Sequence, residues 1–186
     1  MRLFGPRVAI EQVKEEVSGM ILIPEKVDTH FKIGVVTEVG DGVVAGKDAP
    51  DPILVSVGDI VMFQLVGVQD QMSLYKVGGN MTHILLQDDL LARTQKRIAL
   101  DTIEILGDWT LIRVTMPVEV SGIILPEKAK LPATFQYNLE QKGSRVALEC
   151  NRGDELAVER MRCTPMEIEG DAYVYCHQRD IYGVIG

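Results

Sequence analysis

The residues able to do chemistry are few and scattered. His30, His83 and His177 show no metal-ligand spacing among themselves or with the cysteines. Cys150, Cys163 and Cys176 are odd in number and 13 apart, with no CxxC, which argues against a disulfide framework and for a reducing compartment. Cys176 and His177 are adjacent, so on a strand they face opposite ways and do not form a nucleophile–base pair. Ser18 and Ser121 lack a local base to activate them. Asp88-Asp89 reads as the start of a helix rather than an acid/base pair. Gly40-Asp41-Gly42-Val-Val-Ala45 fits a loose dinucleotide pattern, but a helix must follow such a loop, and Gly46-Lys47-Asp48-Ala-Pro50-Asp-Pro52 follows instead. Gly46-Lys47 is no phosphate loop, because five residues separate it from Gly40 and Asp48 stands where Ser or Thr is needed. The expectation is a protein that is not an enzyme, with no catalytic residue, no metal and no cofactor.

The feature that recurs is apolar. Residues 17–26 read VSGMILIPEK and residues 120–128 read VSGIILPEK. Each joins Val-Ser-Gly to a short aliphatic run closed by Pro-Glu-Lys. Proline removes a backbone donor and fixes φ, so the run does not continue comfortably as a central strand. Two readings stay open on these residues alone. The run is a buried strand ending at a proline turn, or it is a loop that carries aliphatic side chains to a partner's groove.

These segments need a scaffold, and the repeat extends to it. Gly58-Asp59-Ile-Val-Met-Phe63 is answered by Gly153-Asp154-Glu-Leu-Ala-Val158, and Thr82 to Leu90 by Tyr173 to Ile181. Three matches in the same order indicate two copies of one domain, divided near residues 94–100 and taken as 1–97 and 98–186. Copies of this size bury only about 60% of their unfolded surface, against about 70% for one undivided unit. Short β-branched runs punctuated by Gly, Pro, Asp and Asn predict strands: Val8 to Val13, Ile33 to Val39, Ile53 to Val57, Ile60 to Phe63 and Ile84 to Leu86. Asp88 to Arg97 is the one stretch that reads as helical, acidic at its start and basic at its end, either as a helix or as only a turn or two plus the interdomain linker. The fold class expected is all-β, a sandwich or small barrel in duplicate. The copies differ: Asp41 to Pro52 is a hairpin-sized excursion that the second copy lacks, whereas Ala129 to Gln141 is a polar stretch of the second copy.

Of 186 residues, 46% are hydrophobic and 5% aromatic, so the core is aliphatic. The net charge is −8, with 10 basic and 13 acidic residues up to Arg97 and 9 and 14 beyond it. Both halves are acidic, which excludes a nucleic-acid surface built on phosphate contacts. No apolar run reaches 18 residues, so no membrane-spanning helix is expected, and the N-terminus lacks a signal-peptide core.

With these residues in view, the chain resembles the GroES-type co-chaperonins, the lids of barrel-shaped chaperonins. The family's loop Gly-Gly-Ile-(Met/Val)-Leu-Pro-Glu-Lys is similar to Gly19-Met20-Ile21-Leu22-Ile23-Pro24-Glu25-Lys26 and to Ser121-Gly122-Ile123-Ile124-Leu125-Pro126-Glu127-Lys128. Its strand and turn resemble Gly34 to Gly40, its Val-Gly-Asp-x-Val-x-Phe resembles Val57 to Phe63, and its Asp-Ile-Leu-Ala resembles Asp89 to Ala92. The resemblance runs through residues 3–93 and is eroded in the middle of 104–186. Met20 departs from the family by replacing the second glycine.

The resemblance implies two tandem, partly open β-barrels and a homo-oligomeric ring joined through edge strands. It implies a GroEL-type chaperonin as partner, engaged by loops that are disordered alone and form a hairpin on its apical domains. Ile21, Leu22 and Ile23 would be the contacts of the first loop, and Ile123, Ile124 and Leu125 those of the second. Asp41 to Pro52 matches the family's roof hairpin. A cytoplasmic protein is expected, and the lack of a transit-like leader favours a bacterial or phage-encoded form over a plastid one. The rival reading is a viral capsid decoration or assembly protein on the same fold, located in the virion.

Overall fold

A computed structural model describes residues 2–13, 31–44, 46–64, 73–96, 99–115 and 135–185. Among them the chain forms strands and short 3-10 turns, with no α-helix. The first unit holds β1 (Arg7–Gln12), β2 (Phe31–Val39), β3 (Ile60–Gln64), β4 (Leu74–Val77), β5 (Asn80–Leu86), β6 (Leu90–Thr94) and the two-residue β7 (Glu104–Ile105). They form one sheet in the order β4-β5-β1-β2-β3-β6-β7. The second holds β8 (Trp109–Thr115), β9 (Gln136–Lys142), β10 (Glu155–Val158), β11 (Thr164–Ile168), β12 (Asp171–His177) and β13 (Ile181–Ile185), in the order β11-β12-β8-β9-β10-β13. Taking β8 for β1, β9 for β2 and so on, the second order repeats the first over six strands, and β7 has no counterpart among the described residues. The fold is all-β, with one small barrel-like domain wired twice.

Each sheet wraps one aliphatic cluster. In the first unit Val8, Ile10, Val36, Val61, Phe63, Leu85 and Leu90 fill it, joined by Val55 and Leu106. In the second, Ile112, Leu139, Leu156, Val174 and Ile181 take that place with Cys150 and Cys176. Among the described residues the sheets are open, since β4 pairs there only with β5, and β11 only with β12. Compact packing groups residues 1–108 with Gly143–Arg145, and 109–142 with 146–186. Residues Ala99 to Leu106 therefore pack with the first unit. There Ile105 pairs with Ala92 and Leu106 enters the core.

Irregularities repeat with the strands. The β1–β2 ladder slips between Ala9 and Ile10, leaving Thr37 unpaired in register, and the β8–β9 ladder slips between Leu111 and Ile112, leaving Glu140. A second bulge sets Leu91 of β6 opposite the Met62–Phe63 step of β3, and Tyr182 of β13 opposite the Ala157–Val158 step of β10. Bulges bend a strand and increase its twist, which a short sheet needs in order to curl round its own core.

Two sequence expectations are corrected. Asp88 to Arg97 is not a helix: Gln87–Asp89 make one 3-10 turn, and β6 then pairs with β3. Leu90, Leu91 and Ala92 are all buried, and the ladder plus that burial outweigh a favourable placement of charges. Ile53 to Val57 is not a strand either, although Val55 is buried and Ile53 and Leu54 pack on the core. The excursion 41–52 contains no strand among its described residues; it is closed by Asp51 N donating to Gly42 O at 2.8 Å.

Candidate functional site

The six aliphatic residues singled out in the sequence, Ile21, Leu22, Ile23, Ile123, Ile124 and Leu125, lie outside the described residues, as do Ser18, Ser121 and His30. What the structure shows is where their segments are attached. Residues 14–30 connect β1 to β2, antiparallel neighbours whose last described contacts are Gln12 opposite Gly34 and Val13 N donating to Ile33 O at 3.1 Å. Residues 116–134 connect β8 to β9, which close with Thr115 opposite Gln136. Each Pro-Glu-Lys segment thus spans the same strand pair of its own sheet. Beside the second, Thr115 Oγ1 lies 3.3 Å from Asn138 Oδ1, and Asn138 Nδ2 donates to Gly153 O at 3.2 Å.

The scaffold behind the segments is duplicated almost atom for atom. Gly58 and Gly153 have φ of 95° and 94°, the left-handed region that glycine enters without a side-chain penalty. Gly58 N donates to Val36 O and Gly153 N to Leu139 O, both at 2.8 Å. Val36 N donates to Asp59 O and Leu139 N to Asp154 O, both at 2.9 Å. The Asp59 carboxylate accepts from Ser56 N at 2.9 Å, and that of Asp154 from Asn151 N at 2.7 Å. These turns fix the strands β2 and β9 on which the segments land.

The same matching locates the missing excursion. Gly42 N donates to Gly5 O at 3.1 Å and Arg145 N to Gly107 O at 3.0 Å, an offset of 103. Leu54 N donates to Gln87 Oε1 and Ala147 N to Gln178 Oε1, each at 3.1 Å, an offset of 93. The second copy is therefore ten residues shorter between these two contacts. In the first, Lys47 and Asp51 pair at 2.8 Å within the excursion. Asp41 accepts from Gly5 N at 2.7 Å and Val43 N at 3.1 Å, and these backbone donors hold its carboxyl below the usual range. Gly40 to Val44 is thus irregular backbone held by Asp41, and a Cβ on Gly42 would meet Asp51 O at 2.2 Å.

The other candidates occupy structural positions. His83 is buried on β5, with Nδ1 3.0 Å from Ser73 Oγ and its ring tilted against Phe63. His177 stacks edge-on with Trp109, and its Nδ1 accepts from Arg179 N at 3.3 Å. Asp89 caps its 3-10 turn by accepting from Leu86 N, and burial raises its carboxyl. Among the described residues no group of three His, Cys, Asp or Glu side chains could hold a metal, and no helix is long and apolar enough to cross a membrane. One juxtaposition had escaped the sequence reading: Cys163 and Cys176, whose sulfurs lie 2.8 Å apart. The signal was the count about Glu169-Gly170, since a two-residue turn there sets Ile168 opposite Asp171 and, five positions on, Cys163 opposite Cys176.

Comparison with known proteins agrees with this geometry. The family model described as "Chaperonin 10 Kd subunit" matches residues 1–94. The co-chaperonin GroES of Bacillus pumilus (strain SAFR-032) is 34% identical over 90 residues, covering 44% of this chain and 96% of the relative. Those of Bacillus velezensis and Bacillus subtilis (strain 168) are 33% identical over the same length, with the same coverage. The match stops at residue 94, while the strand order, the bulges and the Gly-Asp turn continue through the second copy. This is a co-chaperonin family, not an enzyme family, and through the matched half of its length the chain belongs to it: the chaperonin 10 Kd subunit family, in which GroES is found.

Proposed function

We propose that this protein is a tandem co-chaperonin lid. It docks on the apical domains of a GroEL-type chaperonin through Ile21, Leu22 and Ile23 of the first copy and Ile123, Ile124 and Leu125 of the second, and it acts as a homo-oligomeric ring in the cytoplasm. The duplicated sequence units are 1–97, which carries the roof segment, and 98–186, of which residues 99–108 pack with the first. The observation that carries the reading is the equivalent attachment of both Pro-Glu-Lys segments, across β1–β2 and across β8–β9, in a chain of this family. The named relatives are all co-chaperonins, which favours the lid over a virion protein.

The energetics require many loops. Burying three aliphatic side chains yields about 4–9 kcal/mol, at about 1.5–3 each. Ordering a segment of about eight residues costs roughly 1–2 kcal/mol per residue. One loop alone binds weakly, and several on one ring bind tightly because each later contact is intramolecular. Weak single contacts also let a lid leave in every cycle.

The test is Ile21→Ser combined with Ile123→Ser, assayed by chaperonin ATPase and by refolding of a client. Loss of both effects is expected; unchanged values in both assays would remove the proposal. Limited proteolysis separates the rival, since a lid is cut near residues 18–32 and protected by nucleotide-bound chaperonin, whereas a virion protein gains no such protection.

A further inference from the structure

Cys163 and Cys176 are the next opposed pair of the β11–β12 hairpin. The register runs Ile168–Asp171, Glu167–Ala172, Met166–Tyr173, Pro165–Val174 and Thr164–Tyr175, and one more step brings the two cysteines face to face. Directly opposed residues of an antiparallel pair have Cβ atoms about 4.5–5.5 Å apart, close to the roughly 3.5–4.5 Å of a disulfide. Here the sulfurs already lie 2.8 Å apart. The two thiols differ. Cys176 is fully buried in the core cluster of the second unit, while Cys163 is half-buried at its margin, following the exposed turn Arg160–Arg162. Cys150 belongs to the same cluster, but its sulfur turns to Leu148 O. By the same count the first copy carries Met72 and Leu85, so the pair belongs to the second copy alone.

We propose that Cys163 and Cys176 form a redox-active dithiol that reacts with low-molecular-weight disulfides, closing a reversible cross-link at the base of the β11–β12 hairpin. The half-buried Cys163 loses its proton to solvent and its thiolate attacks the external disulfide, forming a mixed disulfide and releasing one thiolate. Cys176 then gives up its proton and attacks the Cys163 sulfur, completing the internal bond and releasing the second. One external disulfide is reduced to two thiols, and two protein thiols are oxidised to one disulfide. The roles follow exposure. They agree with the acidities, because the hydrogen-bonded contact between the two sulfurs holds the Cys163 thiol below its usual range, and that contact together with burial pushes Cys176 up. A thiolate with a neighbouring resolving thiol is the arrangement that thiol–disulfide exchange requires.

The experiment incubates the full native chain with oxidised glutathione, quenches with acid, unfolds, alkylates and maps peptides by mass spectrometry. The expected result is loss of two of the three alkylatable thiols, a peptide linking Cys163 to Cys176, a free Cys150, and full recovery with dithiothreitol. Cys176→Ala should trap glutathione on Cys163, while Cys163→Ala should leave Cys176 unmodified. Three alkylatable thiols after oxidation, a persistent glutathione adduct on wild-type Cys163, or a bridge that includes Cys150 would each overturn the proposal. Wild-type protein suffices for the decisive measurement, so it does not depend on the folding of either variant.

Discussion

At the scale of single residues, Asp59 and Asp154 do the same work under different conditions. Each carboxylate accepts the backbone N–H three residues before it and so closes the turn that opens β3 or β10. Asp59 is 3% exposed and lies 3.7 Å from Arg93, whose guanidinium also donates to Leu54 O at 2.6 Å. Asp154 is only half-buried. Removing the buried Asp59 side chain takes a carboxylate from Arg93 as well as the partner of Ser56 N, whereas at the more accessible Asp154 water replaces the lost partner and leaves a net loss of about 0.5–1.5 kcal/mol. Asp59→Ala should therefore lower the urea midpoint more than Asp154→Ala, and an equal or reversed order would contradict this account. The Gly-Asp spacing marked these positions in the sequence, because only glycine enters the left-handed region cheaply. The partners were not legible: nothing in the letters says that the turn at 58–59 grips Val36 on another strand.

At the scale of elements, the hairpins show what local chemistry can specify. Gly78-Gly79 links β4 to β5, with φ of 60° and 99° in a two-residue loop between the paired Val77 and Asn80. That is the turn whose twist suits an antiparallel pair, and the glycines announced it. Its counterpart is Glu169-Gly170, with φ of 54° and 89° between Ile168 and Asp171. Glu169 conceals the turn in the sequence, and with it β11 and the opposition of the two cysteines. A side chain other than glycine or asparagine pays about 1–2 kcal/mol in this region. Glu169→Asn should stabilise the second unit by about 1 kcal/mol, seen as a higher thermal midpoint, and no rise would mean that the glutamate makes a compensating contact. The segment after Asp89 shows the reverse failure. Its charges favoured a helix, but β3 offered a ladder and the core offered burial to Leu90, Leu91 and Ala92, neither of which is visible in a local window.

At the scale of the whole molecule, duplication was legible because its marks are short and sharp: Pro-Glu-Lys, Gly-Asp and the Asp-Leu or Asp-Ile ending. The bulges at Thr37 and Glu140 were not, since a bulge is a relation between two strands and leaves no fixed residue type. The second copy has drifted beyond the reach of the family model while keeping the strand order, which is what a core tolerant of aliphatic exchange allows. Whether both copies keep the loop's task is a separate question, and the energetics make it answerable. Replacing one buried isoleucine by serine removes about 1.5–3 kcal/mol from each loop that engages. On a ring the losses add over chains, so with about three engaged copies of a loop the deficit reaches roughly 4.5–9 kcal/mol, at least a thousandfold in affinity at about 1.4 kcal/mol per decade. Ile21→Ser alone and Ile123→Ser alone should each produce such a loss in chaperonin binding, measured by competition against the wild-type protein. A silent Ile123→Ser beside a disabling Ile21→Ser would assign docking to the first copy alone and leave the second as a spacer. The departure of Met20 from the family pattern makes the opposite outcome just as informative, since a stiffer first segment pays less entropy on ordering but reaches fewer poses.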